Sequence, residues 1–259
     1  MKIQDLDKLW IELQNYMERS NLHFYKQTRE KDEEGKEKTV AKYLLPDQAK
    51  EIITKLYPDN PTVYTSTRGH PPHIGHSFLI DRAYNAAKNL GLNFGLVISN
   101  LYRWEREGNP WLDREPLKAG PIFRDKKGAI ENHLLNHGYD MNMIEIQPFE
   151  VYQKRGGKDD PPEGLKTDVF TKKFPNYFIR VTSVENADRL VFMNPKLLIV
   201  LGTLENPEYF CLNNERVKAS TIREKIGKGD QSWRNYVYPE IADFIDSHPE
   251  VIKEIKKML

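Results

Sequence analysis

Two short segments of the chain combine residue types that could bind phosphate. The first, "RGHPPHIGH", covers residues 68–76 and holds three of the seven histidines. Imidazoles can donate hydrogen bonds to phosphate oxygens, and Gly75 lets the backbone approach a ligand closely. The second, "VKASTIR", covers residues 217–223 and ends in a guanidinium, which binds phosphate through paired hydrogen bonds. Both segments indicate an anionic ligand.

The elements around the first segment would place it at a ligand site. It follows the β-rich run "TVYTST" (62–67) and precedes a helix with an apolar stripe that ends near Leu90. His76 would then lie at a helix N-terminus, where unpaired N–H groups favour an anion. In open α/β sheets ligands bind beyond the carboxyl ends of the strands. The alternative is structural, with histidines that only cap the helix and fill the turn.

The second segment precedes the short helical pattern "REKIGKG". A hydroxyl and a guanidinium at such a helix start can hold a polyphosphate. Serine and threonine before a helix are, however, most often only N-caps. Lys218 either adds positive charge at the phosphates or is simply solvated.

Buried strands alternate with helices from residue 61 onward, which predicts a doubly wound parallel α/β sheet. Helices are expected near 125–137 and 185–192, and "QKRGGKDDPPEGLKT" (153–167) is expected to be a mobile surface loop. The expected strands are 62–67, 94–99, 143–149, 178–183 and 196–202.

The first 60 residues are predicted to form a helical extension. Apolar residues at helical spacing predict a helix over 4–19, and a second begins at Pro46 and ends before "PDNP" (58–61). Between them, the mixed-charge run 29–38 is expected to be a solvated turn. We therefore divide the chain into residues 1–60 and 61–259.

Composition excludes several classes of protein. With 39 basic and 38 acidic side chains the net charge is +1, which provides no overall field for nucleic acid or an anionic membrane. The single cysteine, Cys211, excludes an intrachain disulfide and is expected to be a small buried hydrophobe. Neither a signal-peptide run nor a membrane span is apparent, so the cytoplasm is the expected location.

The "HIGH" sequence (73–76), after a strand and before a helix, resembles the signature of the nucleotidyltransferase superfamily. That superfamily includes mononucleotide adenylyltransferases, cytidylyltransferases and class I aminoacyl-tRNA synthetases. The RxxPxHxGH pattern of archaeal-type nicotinamide-nucleotide adenylyltransferases is matched by Arg68, Pro71, His73, Gly75 and His76. The positions that depart from it are Gly69, His70 and Pro72.

The second segment resembles the end of that family's SxTxIR-like motif, through Ser220, Ile222 and Arg223. Lys218 and Ala219 replace the residues usual there. The family's closing segment is matched by Trp233, Val237 and Pro239, which are expected to be packing residues. Altogether the resemblance covers roughly residues 61–247.

The resemblance implies that residues 61–259 form a Rossmann-like nucleotidyltransferase domain. The implied reaction transfers an adenylyl group from ATP to a mononucleotide, expected to be nicotinamide mononucleotide, with Mg²⁺ as cofactor and no protein metal ligands. The partners are then ATP and the mononucleotide, without nucleic acid or membrane, and a homo-oligomer is compatible with the family.

The implied catalytic residues are His73, His76 and Arg223. The implied ATP contacts are Thr67, Arg68, His73, Gly75, His76, Lys218, Ser220, Thr221 and Arg223. "GNPWLDREPLKAG" (108–120) resembles an element that borders the nicotinamide site, which implies acceptor contacts from Asn109 and Trp111.

Two other functions stay open. A class I aminoacyl-tRNA synthetase would pair "HIGH" with a KMSKS-like "KAST" (218–221), but it would need further domains and a basic surface for tRNA. A nucleotide-binding sensor would keep the fold without the chemistry, as the departures at Gly69, His70 and Lys218 could indicate.

Overall fold

The computed structural model describes residues 6–67, 71–103, 119–153, 167–187, 193–203 and 205–257. The helices are α1 (Leu6–Arg19), α2 (Pro46–Leu56), α3 (Ile74–Asn89), α4 (Ala119–Asn136), α5 (Thr167–Lys173), α6 (Ala219–Lys228), α7 (Pro239–Ser247) and α8 (Pro249–Lys257). The strands are β1 (Leu22–Lys31), β2 (Glu37–Tyr43), β3 (Thr62–Thr67), β4 (Phe94–Arg103), β5 (Ile144–Gln153), β6 (Tyr177–Ser183), β7 (Leu197–Leu201), β8 (Cys211–Leu212) and β9 (Glu215–Arg216).

Seven of these strands form one sheet in the order β2-β1-β7-β6-β3-β4-β5. From β7 to β5 every neighbouring pair is parallel. Numbered along the chain, these five strands follow the order 3-2-1-4-5, which reverses between β3 and β6. The prediction of an α/β fold with a mostly parallel sheet is therefore confirmed, and the order is compatible with a Rossmann-like fold.

Both faces of the parallel strands are buried, which explains their continuous apolar sequences. On one face, Val63, Leu96 and Ile179 share a large core with the inner sides of several helices. On the other face, Tyr64 and Val97 belong to a mainly aromatic cluster with Phe149, Phe170, Phe174, Tyr177 and Met193. The positions of the parallel strands thus follow from the apolar runs in the sequence.

The N-terminal extension differs from its prediction, because it is not only helical. Its two expected helices are present as α1 and α2, but β1 and β2 form an antiparallel hairpin between them. β1 also pairs with β7, with Leu22 opposite Leu201, so the hairpin extends the main sheet. The mixed-charge run supplies the ends of both strands as well as the turn. The boundary at residue 60 stays a prediction, although α1 packs into the same core as α3.

Three smaller expectations have clear outcomes. Trp233 and Val237 are buried in the core, as expected of packing residues. The prediction for Cys211 is wrong: its side chain is exposed, because the two-residue β8 lies in a small separate hairpin with β9. The expected helix near 185–192 is described only at its start, as a single 3-10 turn over Val184–Asn186.

Among the helices of the described residues, none is both long and apolar enough to cross a membrane. Most of the loop expected over 153–167 lies outside the described residues, and so do Arg68, Gly69, His70, Asn109 and Trp111.

Candidate functional site

Hydrogen bonds of the first segment start α3 at a defined point and bring two imidazoles together. His73 has an extended backbone, and its carbonyl accepts from the backbone N–H of His76 at 2.8 Å and of Ser77 at 3.2 Å. In return, Nδ1 of His76 accepts from the backbone N–H of His73 at 3.3 Å. The centroids of the two rings lie 3.7 Å apart. A capping role, which is the structural alternative, is therefore present, and the hydrogen bond from the His73 N–H also holds the ring of His76.

His73 is a buried, neutral imidazole. Only 7% of the residue is exposed, and Nδ1 is buried with no hydrogen-bond partner among the described residues. Burial lowers the pKa of His73 to about 2, with further lowering by the charges of His76 and Arg223. At neutral pH this side chain can therefore donate or accept a hydrogen bond but carries no charge.

The second segment is held by the side chains that α6 buries. Val217 is buried, and its N–H donates to the carbonyl of Phe210 at 3.0 Å. Lys218, with an extended backbone, is the N-cap residue of α6, and Ile222 and Ile226 anchor the helix in the core. This anchoring leaves Ser220 exposed and Arg223 partly buried. Burial removes part of the hydration of the Arg223 guanidinium and therefore lowers its pKa. An anionic partner would offset this loss of hydration.

The two segments meet at Gly75. A methyl group added there would lie 3.0 Å from Nδ1 of His73 and 3.5 Å from the carbonyl oxygen of Val217. A side chain at this position would crowd the ring of His73 and would lie in ordinary van der Waals contact with Val217, so the two segments are neighbours here. The charge of Arg223 also acts on His73, as the lowered pKa of the histidine shows. Residues almost 150 positions apart in the sequence thus belong to one site.

The location of this site suits an anion. It lies after β3, next to the point where the strand order reverses, and at the N-terminus of the 16-residue α3. Backbone N–H groups, imidazoles and a guanidinium could together bind the phosphates of a nucleotide.

The remaining predicted site residues have varied positions. Thr67 is the buried last residue of β3, whereas Lys218 is exposed at the start of α6. Thr221 is partly buried in the first turn of that helix. The roles assigned to Arg68, Asn109 and Trp111 stay predictions, because these residues lie outside the described ranges.

Sequence reasoning missed two features, one beside the start of α3 and one in the turn after β7. Tyr238, just before α7, lies close enough to Ser77, the neighbour of His76, to interact with it, and thereby connects the closing segment to α3. Gly202 follows β7 with a φ of +74°, and a methyl group there would lie 2.4 Å from the backbone nitrogen of Glu208. A glycine directly after a buried strand is a signal that could have indicated this close turn.

No protein-family model matches the chain, and no characterised protein is significantly similar to it over its length. Its function therefore has to be inferred from the two segments and from the site that they form.

Proposed function

We propose that this protein is a nucleotidyltransferase that transfers the adenylyl group of ATP to the phosphate of a mononucleotide and releases pyrophosphate. The observation that carries the proposal is that the two motif-like segments meet at Gly75. The charge of Arg223 in the second segment also lowers the pKa of His73 in the first. In the proposed family both segments bind one nucleoside triphosphate. A Rossmann-like nucleotidyltransferase fold is supported by the order of the parallel strands, which reverses beside this site.

The reaction follows from the groups available. An oxygen of the acceptor phosphate attacks the α-phosphorus of ATP in line with the bond to the β-phosphate. As the new P–O bond forms, the bond between the α-phosphorus and the bridging oxygen breaks and pyrophosphate leaves. No covalent intermediate on the protein is needed, so its task is positioning and stabilisation of charge.

The histidines and the arginine divide this task by their charge and burial. His73, neutral and buried, donates a hydrogen bond to the transferring phosphoryl group, and His76 stabilises the charge that develops there. Arg223, with Ser220 and Arg68, holds the β- and γ-phosphates. Lys218, exposed at the N-cap of α6, adds positive charge near the same phosphates.

Imidazole, hydroxyl and guanidinium groups suit the phosphates of ATP, so Mg²⁺ would arrive bound to the nucleotide. Magnesium commonly keeps several waters and binds through substrate phosphates, where it neutralises charge. The protein then needs to bind only the phosphate oxygens that the ion leaves accessible.

The direct test incubates the full chain with ATP, Mg²⁺ and nicotinamide mononucleotide, and measures pyrophosphate and the dinucleotide. Both products should appear in equal amounts. Parallel reactions with CTP and with flavin, pantetheine and other phosphate acceptors define the substrate, because one fold can host several of these chemistries. Binding of ATP without pyrophosphate release against every acceptor would instead favour a nucleotide sensor.

The acceptor site has its own test. If Trp111 stacks on the acceptor base, Trp111→Ala should raise the KM for the mononucleotide severalfold and leave the KM for ATP nearly unchanged. An equal effect on both substrates would argue against a role specific to the acceptor.

A further inference from the structure

The small hairpin of β8 and β9 leads directly into the second segment, because β9 ends at Arg216 and Val217 follows. The ring of Phe210, just before β8, packs against the ring of Phe78 in α3, with centroids 5.5 Å apart. The carbonyl of Phe210 also accepts from the N–H of Val217 at 3.0 Å. The base of the hairpin is therefore held against the helix that carries His76.

An ion pair ties the hairpin to the turn after β6. The two terminal nitrogens of the Arg216 guanidinium donate to the two carboxylate oxygens of Glu185, each at 2.6 Å. The guanidinium also lies over the ring of Tyr209, 3.6 Å from its centroid. Paired hydrogen bonds fix the orientation of a guanidinium as well as its position. Arg216 is therefore held in one geometry by a carboxylate and a ring.

The turn that carries Glu185 is itself anchored to the main sheet. It is the 3-10 turn Val184–Asn186, directly after β6. Ala187, the next residue, is buried, and its carbonyl accepts from the side-chain amide of Gln27 on β1 at 2.7 Å. The carboxylate of Glu185 is therefore a fixed point at the carboxyl end of a parallel strand.

The exposure of the ion pair indicates that it does more for position than for stability. The side chains of Arg216 and Glu185 are 28% and 44% exposed, and water screens the attraction between exposed charges. Such pairs contribute little to the free energy of folding. The next residue, however, is Val217, whose carbonyl oxygen would lie 3.5 Å from a methyl group on Gly75. The pair thus fixes the chain at the point where the two segments are neighbours.

We propose that Arg216 and Glu185 are positioning residues that set the second segment, and with it Arg223, against the first segment. Lys218, the N-cap of α6, follows Arg216 after a single residue, so a shift of β9 would be carried into the first turn of α6. With the pair intact, the guanidinium of Arg223 is already in place for the phosphates of ATP. The effect on ATP rests on the proposed function, whereas the placement of the segment does not.

The test compares Glu185→Gln, Arg216→Gln and the double variant with the parent protein, in ATP binding by calorimetry and in urea unfolding. Each single change should weaken ATP binding about tenfold, because a misplaced guanidinium no longer matches the phosphate oxygens. The free energy of unfolding should change little. The double variant should bind ATP as weakly as either single variant, because both changes remove the same interaction.

A second ion pair in the chain provides a matched control. The guanidinium of Arg234 donates to both carboxylate oxygens of Asp246, at 2.7 Å and 2.9 Å, and lies 4.5 Å from the ring centroid of Trp233. This pair has the same chemistry but lies after α6 in the chain instead of before it. Asp246→Asn should therefore leave ATP binding unchanged.

Hydrogen exchange at the amide of Val217 provides a readout that needs no ATP. Because this N–H is bonded to the carbonyl of Phe210, its exchange should become severalfold faster in Glu185→Gln and stay as in the parent in Asp246→Asn. Faster exchange in a protein that does not bind ATP would support the positioning role and contradict the proposed function. The positioning role is overturned if Glu185→Gln leaves this exchange unchanged, if it leaves the affinity for ATP unchanged in a parent that binds it, or if Asp246→Asn has the same effects.

Discussion

His73 and His76 are separated by one helical turn but have different environments. His73 is almost completely buried and has a strongly lowered pKa, whereas His76 is only partly buried and has its Nδ1 turned to the backbone of His73. The first is suited to hold a fixed, neutral hydrogen bond. The second remains accessible to a ligand, so the two should respond differently to substitution.

For His76, we expect His76→Ala to lower the turnover number of the proposed reaction about 100-fold or more, by analogy with removal of a transition-state donor. The free energy of unfolding should change little, because the residue is not in the core. Steady-state kinetics and urea unfolding measure the two quantities, with His23→Ala as the matched control. Near-normal turnover in His76→Ala would exclude this residue from catalysis.

For His73, the lowered pKa predicts a dependence of stability on pH. The unfolded chain takes up a proton near pH 6.5, but the folded chain does so only near pH 2, so stability falls as the pH drops between these values. From pH 6.5 to pH 5 this one group would cost about 2 kcal/mol. Burial lowers the pKa of His133 to about 4, so this residue also reduces the stability of the fold as the pH falls.

The check is urea unfolding of the parent protein and of His73→Asn at pH 7 and pH 5. The variant should lose about 2 kcal/mol less than the parent between the two pH values, whatever its stability at pH 7. Equal losses in both proteins would mean that His73 titrates normally and is not buried as described.

At the scale of elements, the loop after β3 carries part of the candidate site, and the loop after β7 makes a close turn at a glycine. Gly75 leaves room for the ring of His73, whose Nδ1 would lie 3.0 Å from an added methyl group. Gly202 reverses the chain after β7 with a positive φ, and Thr203 then pairs with Asn206 through its backbone N–H at 3.0 Å. Both loops leave the sheet at the carboxyl ends of parallel strands, where binding residues are expected.

Gly202 offers a controlled comparison with Gly35. Both have positive φ, but a methyl group at Gly202 would meet backbone atoms at 2.4 Å and 2.6 Å, whereas at Gly35 it would meet nothing within 4 Å. Gly35→Ala should therefore cost only the strain of about 1–2 kcal/mol. Gly202→Ala should cost at least about 1–3 kcal/mol more, because the backbone of its loop has to move. Chemical denaturation measures both; equal costs would show that the loop after β7 is not closely packed.

At the scale of the whole molecule, the N-terminal residues are part of the main sheet and core. The side chains of Leu6, Trp10, Leu13 and Met17 are buried from α1, and Trp10 stacks on Phe24 of β1 with ring centroids 5.3 Å apart. Since β1 pairs with β7, the hairpin covers an edge that the parallel strands would otherwise leave open.

This arrangement predicts that α1 and the central strands unfold together. Leu13→Ala, at a fully buried position, should lower the free energy of unfolding by about 2–5 kcal/mol. Ile11 lies on the same helix but is 58% exposed, so Ile11→Ala should change the free energy of unfolding by less than about 0.5 kcal/mol. Hydrogen exchange should show faster opening of residues 94–98 in Leu13→Ala. Faster exchange confined to the first 45 residues would instead indicate a separate unit.

The sequence by itself predicted the parallel strands and the helices α3 and α4, and it singled out the two segments that the fold brings together at Gly75. These features depend on local composition: apolar runs bounded by breakers for the strands, and histidine, glycine and arginine next to helix starts for the site. The expectation of an α/β sheet therefore held, and the helices expected at 4–19 and from Pro46 were found close to their predicted bounds.

Tertiary structure decided what depends on partners far away in the sequence. The hairpin of β1 and β2 joins the main sheet because β7 offers it an open edge. The charged residues of the hairpin do not indicate that β1 will pair with β7. Cys211 is exposed because its short hairpin lies outside the core. The contact at Gly75, the neutral state of His73 and the facing side chains of His133 and Glu240 arise in the same way, because burial and electrostatics depend on which surfaces the fold brings together.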